Sequence, residues 1–156
     1  MKKLLFVCLG NICRSPSAEA VMKHYVKEKG WEDRFFIDSA GLSGWHSGEP
    51  ADERMQHHAK RRGYELTSRS RKFYPSADFK EFDMIIGMDD QNVRDLRALA
   101  ETEEELGKIY KMTDFCRRFS YRTAVPDPYY GGDAGFELVL DLLEDGVEGL
   151  LEKFRD

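Results

Sequence analysis

The chain alternates short apolar runs with longer segments in which apolar residues recur at helical spacing. The short runs predict buried strands at residues 4–7, 35–38, 82–88 and 106–112. Helical spacing, with capping and stop residues, predicts helices at residues 15–29, 52–62, 89–100 and 134–154. Gly146 and Gly149 are expected to weaken the last helix locally. Residues 39–50 and 122–132 are typical of turn-rich loops, and residues 64–73 form a basic, irregular segment.

The predicted strands and helices follow one another in strict alternation, which favours an α/β fold. We expect a four-stranded parallel sheet with helices on both faces, formed as a single domain over residues 1–156. Open sheets of this kind bind ligands at the carboxyl ends of their strands. Cys8 ends the first predicted strand, so the loop that follows it is the first candidate for a site.

Composition and charge narrow the class of protein. The chain has 156 residues, of which 41% are hydrophobic and 34% are charged, as in ordinary soluble globular proteins. A net charge of −5 argues against a nucleic-acid binder. The apolar runs fall short of the ~20 residues that a membrane span requires, and the first run is too short for a signal peptide. The 3 cysteines do not suggest a secreted disulfide framework, so we expect a cytoplasmic protein that binds neither nucleic acid nor membrane.

The segment C-L-G-N-I-C-R-S, which follows the first strand, combines features of an oxyanion site. Gly10 and Asn11 tolerate left-handed backbone conformations, which can turn successive N–H groups inward as an anion nest. The next helix adds unpaired N–H groups and the positive end of its dipole. Such a field stabilises a thiolate, while Arg14 can grip two oxygens of a phosphoryl group. The loop therefore predicts that Cys8 attacks phosphorus, assisted by the Ser15 hydroxyl.

This loop has two other interpretations. Cys8 could be a buried packing residue followed by an ordinary helix cap, as many lone cysteines are. A nucleotide-binding P-loop would end in Gly-Lys-Ser/Thr, which is absent here. The observed pattern is more specific than either alternative explains: a cysteine, five intervening residues, an arginine and a serine stand between a strand and a helix.

The segment V-P-D-P-Y-Y-G-G holds the best candidate for a general acid, which a phenolate leaving group requires. Asp127 is that candidate, because Pro126 and Pro128 stiffen the backbone around it. Tyr129 and Tyr130 would wall a cleft for an aryl phosphate. Asp-Pro followed by glycines is also ordinary turn chemistry, and only the cysteine loop favours the catalytic interpretation.

Together, C-L-G-N-I-C-R-S near the N-terminus and D-P-Y-Y near the C-terminus resemble the low-molecular-weight protein tyrosine phosphatase family. The resemblance covers essentially the whole chain. It implies a four-stranded parallel sheet with a phosphate-binding loop after the first strand, and no metal or cofactor. It also implies hydrolysis of phosphotyrosine through a phosphocysteine intermediate, with Cys8 as nucleophile, Arg14 as phosphoryl clamp and Asp127 as general acid and then base. The partners are then tyrosine-phosphorylated proteins or aryl phosphates, and we expect a monomer, with a weak dimer as the alternative.

The resemblance also implies roles for residues around the loop. The phosphate-binding loop would comprise Leu9, Gly10, Asn11, Ile12, Cys13, Arg14 and Ser15. Loop-supporting positions are matched by Asn11, Ser15, Ser39 and Asp89, and the substrate cleft by Leu9, Trp45, Tyr129 and Tyr130. Some family members carry a histidine in the loop-supporting network where Ser68 stands here, so that network is expected to be shorter or completed by water.

Cys13 matches a cysteine that can trap an oxidised nucleophile as a disulfide, which would protect Cys8 from irreversible oxidation. The alternative is a small packing residue. Arsenate reduction would need further cysteines as a relay, and Cys13 with an isolated Cys116 gives an incomplete one. A phosphotyrosine-binding module without activity is disfavoured by the intact catalytic residues.

Several features were expected to have no catalytic role. His57 and His58 lie in a polar predicted helix and are predicted to be surface residues. Because they are adjacent, they do not share a helical face as metal ligands would. Cys116 is predicted to be a packing residue, and residues 101–105 a solvated face or a turn. The basic positions would either steer acidic phosphopeptides or simply face solvent; they are Lys60, Arg61, Arg62, Arg69 and Arg71.

Overall fold

The structure is a computed structural model of the chain, and it describes residues 1–128 and 132–155. Its sheet has the strand order β2-β1-β3-β4, and neighbouring strands pair in parallel. The strands are β1 (Lys2–Cys8), β2 (Phe35–Gly41), β3 (Met84–Gly87) and β4 (Ile109–Lys111). The predicted α/β class and four-stranded parallel sheet are therefore confirmed.

Helices connect these strands, as parallel pairing requires. They are α1 (Arg14–Glu28), α2 (Glu53–Lys60), α3 (Pro75–Glu81), α4 (Asp90–Leu99), α5 (Glu103–Leu106) and α6 (Asp133–Glu152). Short 3₁₀ helices lie at Glu32–Arg34 and Met112–Phe115. The sequence pattern missed α3, and the acidic run predicted as a solvated face or turn contains the single-turn helix α5. Within the described ranges, no helix has the length and apolar character needed to cross a membrane.

Helices cover both faces of the sheet, as predicted. Alternate residues of β1 point to opposite faces, and they belong to two different hydrophobic clusters. Leu4 and Phe6 join the cluster that contains the apolar sides of α1 and α6. Leu5 and Val7 join the second cluster, which includes Phe79 of α3 and apolar residues of β3 and α4. All four of these β1 side chains are fully buried, so β1 is the central strand of the core.

Gly146 and Gly149 allow α6 to approach the 3₁₀ helix Met112–Phe115, and the helix runs through both without interruption. A Cβ atom on Gly149 would overlap the carbonyl oxygen of Phe115. A Cβ atom on Gly146 would lie 2.5 Å from the terminal methyl group of Met112. These glycines therefore permit close packing, and the expectation that they weaken the helix locally misses this role.

The prediction that both adjacent histidines are surface residues is wrong for His58. Its side chain is buried, stacks on Phe136 at 5.3 Å between ring centroids, and hydrogen-bonds with Glu137 and Asp133 of α6. The cause is the docking of α2 on α6, which brings two carboxylates to one imidazole. His57 is exposed, as predicted.

Cys116 is a buried packing residue, as predicted, with its Sγ atom 3.6 Å from the carbonyl oxygen of Leu142. Burial, and then the neighbouring Asp145, raise the pKa of Cys116 to about 12. Two of the basic residues hold elements of the fold together. Arg62 forms ion pairs with Glu137, Asp141 and Glu144, and Arg71 with Asp38 and Asp78.

Candidate functional site

A cavity of about 600 Å³ opens at the carboxyl end of β1. It is lined by Cys8, Leu9, Gly10, Ile12, Cys13, Arg14, Ser43, Trp45, His46 and Asp127. The predicted nucleophile, clamp and acid therefore meet in one place, although Asp127 lies far along the chain from the other two. This position agrees with the general rule that open parallel sheets bind ligands beyond the carboxyl ends of their strands.

The carbonyl groups of the loop are held by hydrogen bonds from surrounding segments. Four of these carbonyl groups accept from backbone N–H groups of other residues. The pairs are Leu42 N to Cys8 O at 3.0 Å, Ser43 N to Leu9 O at 2.9 Å, Asp52 N to Ile12 O at 2.8 Å and Ser17 N to Cys13 O at 3.3 Å. Gly10 O accepts instead from the Ser70 hydroxyl at 2.9 Å. In a trans peptide the N–H group points opposite to the carbonyl group. Holding the carbonyls outward therefore turns the following N–H groups towards the cavity, where an anion would sit.

Cys8 lies at the centre of this arrangement, and its side chain is buried. Its Sγ atom lies 3.3 Å from Asn11 N, which donates to it, and 3.0 Å from the Ser15 hydroxyl. Asn11 Nδ2 donates to the same hydroxyl oxygen at 2.7 Å. Asn11 has a φ of 57°, the left-handed conformation that its residue type was predicted to tolerate.

The loop-supporting network extends into residues that sequence reasoning missed. Arg71 N donates to Asn11 Oδ1 at 3.0 Å. Gly41, at the end of β2, is also required, because a Cβ atom there would lie 3.0 Å from Leu9 O and 3.1 Å from the Asn11 Cβ atom. The only sequence signal for these contacts is the segment D-S-A-G at residues 38–41, of which Ser39 alone is predicted to support the loop.

Ser39 and Ser68 have different surroundings from those expected. The Ser39 hydroxyl donates to Glu19 Oε1 at 2.6 Å, so among the described residues its hydrogen bond leads to α1 and not directly to the loop. Ser68 is half-buried, and the hydrogen bonds from its segment to the loop come from Ser70 and Arg71 instead. Asn11 and Ser15 do take part in the network, as described above.

Arg14 is buried beside the cavity and fixed from two sides. Its Nη1 atom donates to Asp89 Oδ2 at 2.7 Å and to Val125 O at 3.0 Å, while Nη2 lies 3.8 Å from Asp127 Oδ2. Burial by itself would lower the pKa of Arg14, but the charges of Cys8, Asp89 and Asp127 raise it. Asp89 Oδ1 also accepts from Asn92 N at 2.7 Å, which caps α4. Asp89, which is predicted to support the loop, therefore links the start of α4 to the guanidinium of Arg14.

Asp127 lies at the mouth of the cavity with its side chain 47% exposed. Its segment is anchored by Val125, which is buried and whose N–H donates to Met88 O at 2.8 Å, just after β3. The predicted cleft residues Tyr129 and Tyr130 lie outside the described residues.

The rim of the cavity carries exposed apolar side chains. Trp45 is 88% exposed and Leu9 is 53% exposed, which suits them to contact a bound substrate. His46, which the sequence analysis did not select, stacks on Trp45 at 6.2 Å between ring centroids and hydrogen-bonds with Glu49. Both predicted cleft residues that the structure describes therefore lie at the cavity.

Cys13 lines the same cavity as Cys8, and both are free thiols. Burial, followed by the charges of Asp52 and Cys8, raises the pKa of Cys13, so this residue stays a neutral thiol at neutral pH. Over residues 1–128 and 132–155, no three side chains of His, Cys, Asp or Glu are grouped to hold a metal ion.

Comparisons with known proteins agree with this geometry. The family model described as low molecular weight phosphotyrosine protein phosphatase matches residues 3–156. A Synechocystis protein named as a putative low molecular weight protein-tyrosine-phosphatase is 48% identical over 149 residues, which cover 96% of this chain and 94% of the relative. A crystal structure of a protein tyrosine phosphatase from Entamoeba histolytica, with Hepes in its active site, superposes with a TM-score of 0.95 at 49% identity, covering 99% of this chain and 97% of that one. A Drosophila arginine phosphatase superposes with a TM-score of 0.90 at 32% identity, covering 100% of this chain and 99% of that one.

Proposed function

Because the chain belongs to the low molecular weight phosphotyrosine protein phosphatase family, we propose that it hydrolyses phosphotyrosine in proteins through a phosphocysteine intermediate. The observation that carries this proposal is the surroundings of Cys8. Its sulfur receives hydrogen bonds within a loop whose carbonyls are held outward, next to the fixed guanidinium of Arg14. A preorganised set of donors of this kind stabilises the charge of a transferring phosphoryl group.

In the first step the Cys8 thiolate attacks phosphorus in line with the bond to the tyrosine oxygen. An S–P bond forms as the P–O bond breaks, and Asp127 gives its proton to the departing phenolate. The loop N–H groups and Arg14 hold the three equatorial oxygens throughout. The 3.8 Å separation of Arg14 Nη2 from Asp127 Oδ2 supports this assignment, since the two side chains lie beside each other at the cavity mouth.

In the second step Asp127, now ionised, accepts a proton from water. The resulting nucleophile attacks phosphorus and breaks the P–S bond, which releases inorganic phosphate and the Cys8 thiolate. The Ser15 hydroxyl, 3.0 Å from the sulfur, stabilises this thiolate as it leaves.

Mutation of the two central residues tests this mechanism. Cys8→Ser is expected to abolish turnover of an aryl phosphate while phosphate binding is retained, and full activity in this variant would contradict the mechanism. Asp127→Asn is expected to slow hydrolysis of phenyl phosphate far more than that of nitrophenyl phosphate, whose leaving group needs little protonation. Equal losses on both substrates would remove the acid role from Asp127.

Substrate class needs its own test, because the same fold is found in the Drosophila arginine phosphatase. The exposed Trp45 and Leu9 at the rim support an aromatic phosphoester as substrate. We therefore expect phosphotyrosine peptides to be hydrolysed at a much higher kcat/KM than phosphoarginine peptides of the same sequence. Arsenate reduction is disfavoured, since Cys116 is buried against α6 and does not line the cavity.

We also propose that Cys13 protects the active site from oxidation. Peroxide would oxidise the Cys8 thiolate to a sulfenic acid, and the Cys13 sulfur would then attack it, forming a disulfide and releasing water. Peroxide-inactivated wild type should recover with a thiol reductant, whereas Cys13→Ser should not; equal recovery would contradict this role.

The free thiols support our further proposal of a reducing cytoplasmic setting, in which residues 1–156 act as a single, monomeric phosphatase domain.

A further inference from the structure

Ser70 lies on a short segment that runs past the outside of the phosphate-binding loop. Its backbone is held on both sides, because Ser70 N donates to Glu49 O at 2.8 Å and Gly48 N donates to Ser70 O at 2.8 Å. The residue is 5% exposed, and its hydroxyl donates to Gly10 O at 2.9 Å. The side chain is therefore directed at the loop by a segment that is itself anchored.

The Gly10 carbonyl differs from the other held carbonyls of the loop. Four of those accept from backbone N–H groups, whereas within the described residues the hydrogen bond to Gly10 O comes from the Ser70 side chain. Gly10 O and Asn11 N belong to the same peptide group. Asn11 N is the amide that donates to Cys8 Sγ at 3.3 Å. The orientation of this one peptide therefore decides whether a donor or an acceptor faces the nucleophile.

The residues on either side of this peptide also permit it to rotate. Glycine precedes it and imposes little restriction on its own dihedral angles. Asn11 follows it with a φ of 57°, a left-handed conformation that asparagine tolerates better than most residues but in which it is still less stable than at negative φ. Rotation of the peptide would turn the Gly10 oxygen towards Cys8 and towards the position of a bound phosphate, where it would repel both.

We propose that Ser70 is a positioning residue for the phosphatase reaction, holding the Gly10–Asn11 peptide so that its N–H group faces Cys8. This inference rests on the proposed function, because it concerns the cradle in which phosphate is bound. The neighbouring Arg71 holds the Asn11 side chain through its own N–H group and is anchored by ion pairs with Asp38 and Asp78. Loss of the Ser70 hydroxyl therefore leaves the segment in place and removes a single hydrogen bond.

Ser70→Ala tests the proposal, with Ser17→Ala as a matched control. Both serines are buried and donate through their hydroxyls to a carbonyl of the same loop, Ser17 to Cys13 O at 2.6 Å. Cys13 O, however, also accepts from the Ser17 backbone N–H, so it keeps a partner when the hydroxyl is removed. Ser70→Thr restores a hydroxyl at the test position, and Ser68→Ala is a second control on the same segment.

The assay is protection of Cys8 from iodoacetamide by inorganic phosphate, which gives a dissociation constant without turnover. Ser70→Ala is expected to weaken phosphate binding about tenfold and to lower kcat/KM for nitrophenyl phosphate by a similar factor, since a buried carbonyl loses its partner. It should also slow alkylation of Cys8 at mildly acidic pH, because the thiolate loses a donor, while the melting temperature falls by only a few degrees, as expected for the loss of one buried hydrogen bond. Ser17→Ala and Ser68→Ala should match wild type in all these measurements, and Ser70→Thr should recover phosphate binding.

Unchanged phosphate binding and alkylation in Ser70→Ala would overturn the proposal. An equal loss in Ser17→Ala would also overturn it, since any buried serine at the loop would then have the same effect. Failure of the proposed function gives a different result, in which wild type does not hydrolyse aryl phosphates. The protection assay would still report on the Gly10–Asn11 peptide in that case, because it requires binding alone.

Discussion

The Ser15 hydroxyl lies 3.0 Å from the Cys8 sulfur, and it is the donor of that hydrogen bond whenever Cys8 is a thiolate, which has no proton to give. Asn11 Nδ2 donates to the Ser15 oxygen at 2.7 Å, which occupies one of its lone pairs and leaves the hydroxyl proton free to face the sulfur. In the proposed mechanism the hydroxyl therefore stabilises the thiolate in two states, before it attacks phosphorus and after it leaves. Hydrogen bonds to charged groups are stronger than those between neutral groups.

Ser15→Ala should accordingly slow breakdown of the phosphocysteine, in which the thiolate is the leaving group. Loss of a hydrogen bond to a charged group is worth about 1.5–3 kcal/mol, or about 10–100-fold in rate. Rapid-quench experiments with nitrophenyl phosphate should show a burst of nitrophenol followed by slow turnover, with phosphorylated Cys8 accumulating. A variant that forms the intermediate slowly but shows no burst would contradict this role, and Ser17→Ala should behave as wild type.

Asp89 combines a structural and an electrostatic function, which two substitutions can separate. Asp89→Asn keeps an oxygen to cap α4 but removes the charge that faces Arg14, so kcat/KM should fall about tenfold with little change in stability. Asp89→Ala should lose activity to a similar extent and also about 1 kcal/mol of stability through the lost cap. Kinetics together with thermal unfolding would check both. An Asn variant that is destabilised but fully active would show that Asp89 acts only as a cap.

The four strands and the positions of the proposed catalytic residues could be predicted because they depend on local pattern. Apolar runs mark β1 to β4, although β3 and β4 are shorter than the runs that predicted them. Cys8 and Arg14 belong to one contiguous motif, and Asp127 is set apart by its prolines and tyrosines. The structure places all three at one cavity.

What could not be predicted depends on contacts between distant segments. Helix α3 has few apolar residues, and it is stabilised by Asp78, which accepts from Tyr74 N and pairs with Arg71. His58 is buried only because α6 supplies its carboxylate partners. Ser70 carries no local signal, since its role depends on where the Gly10 carbonyl lies in the folded chain.

Gly149 and Gly146 of α6 both pack closely against the 3₁₀ helix Met112–Phe115, so alanine substitutions at the two positions can be compared directly. Gly149→Ala should be strongly destabilising, because its Cβ atom would overlap the Phe115 carbonyl oxygen and the backbone would have to move. Gly146→Ala meets the flexible end of Met112, which can rotate away, and the Met112 carbonyl oxygen at 3.3 Å, which needs a shift of only a few tenths of an ångström, while alanine favours the helix by about 1 kcal/mol. Urea unfolding should show a loss of about 1–3 kcal/mol or more for the first variant only. Equal effects of the two substitutions would contradict this account of the packing.

Asp145 should make stability depend on pH in the acid range. Burial by itself would raise the pKa of its carboxyl, but hydrogen bonds from the N–H groups of Phe119, Arg117 and Arg118 lower it below the usual value. A lowered pKa in the folded state stabilises the protein above the unfolded-state value of about 4, and this stabilisation is lost as the pH falls through the folded-state pKa. Asp145→Asn should therefore cost about 1–3 kcal/mol at neutral pH and flatten the acid dependence of urea unfolding. Asp141→Asn, half exposed on the same helix, should cost far less, and an unaltered acid profile in Asp145→Asn would contradict the prediction.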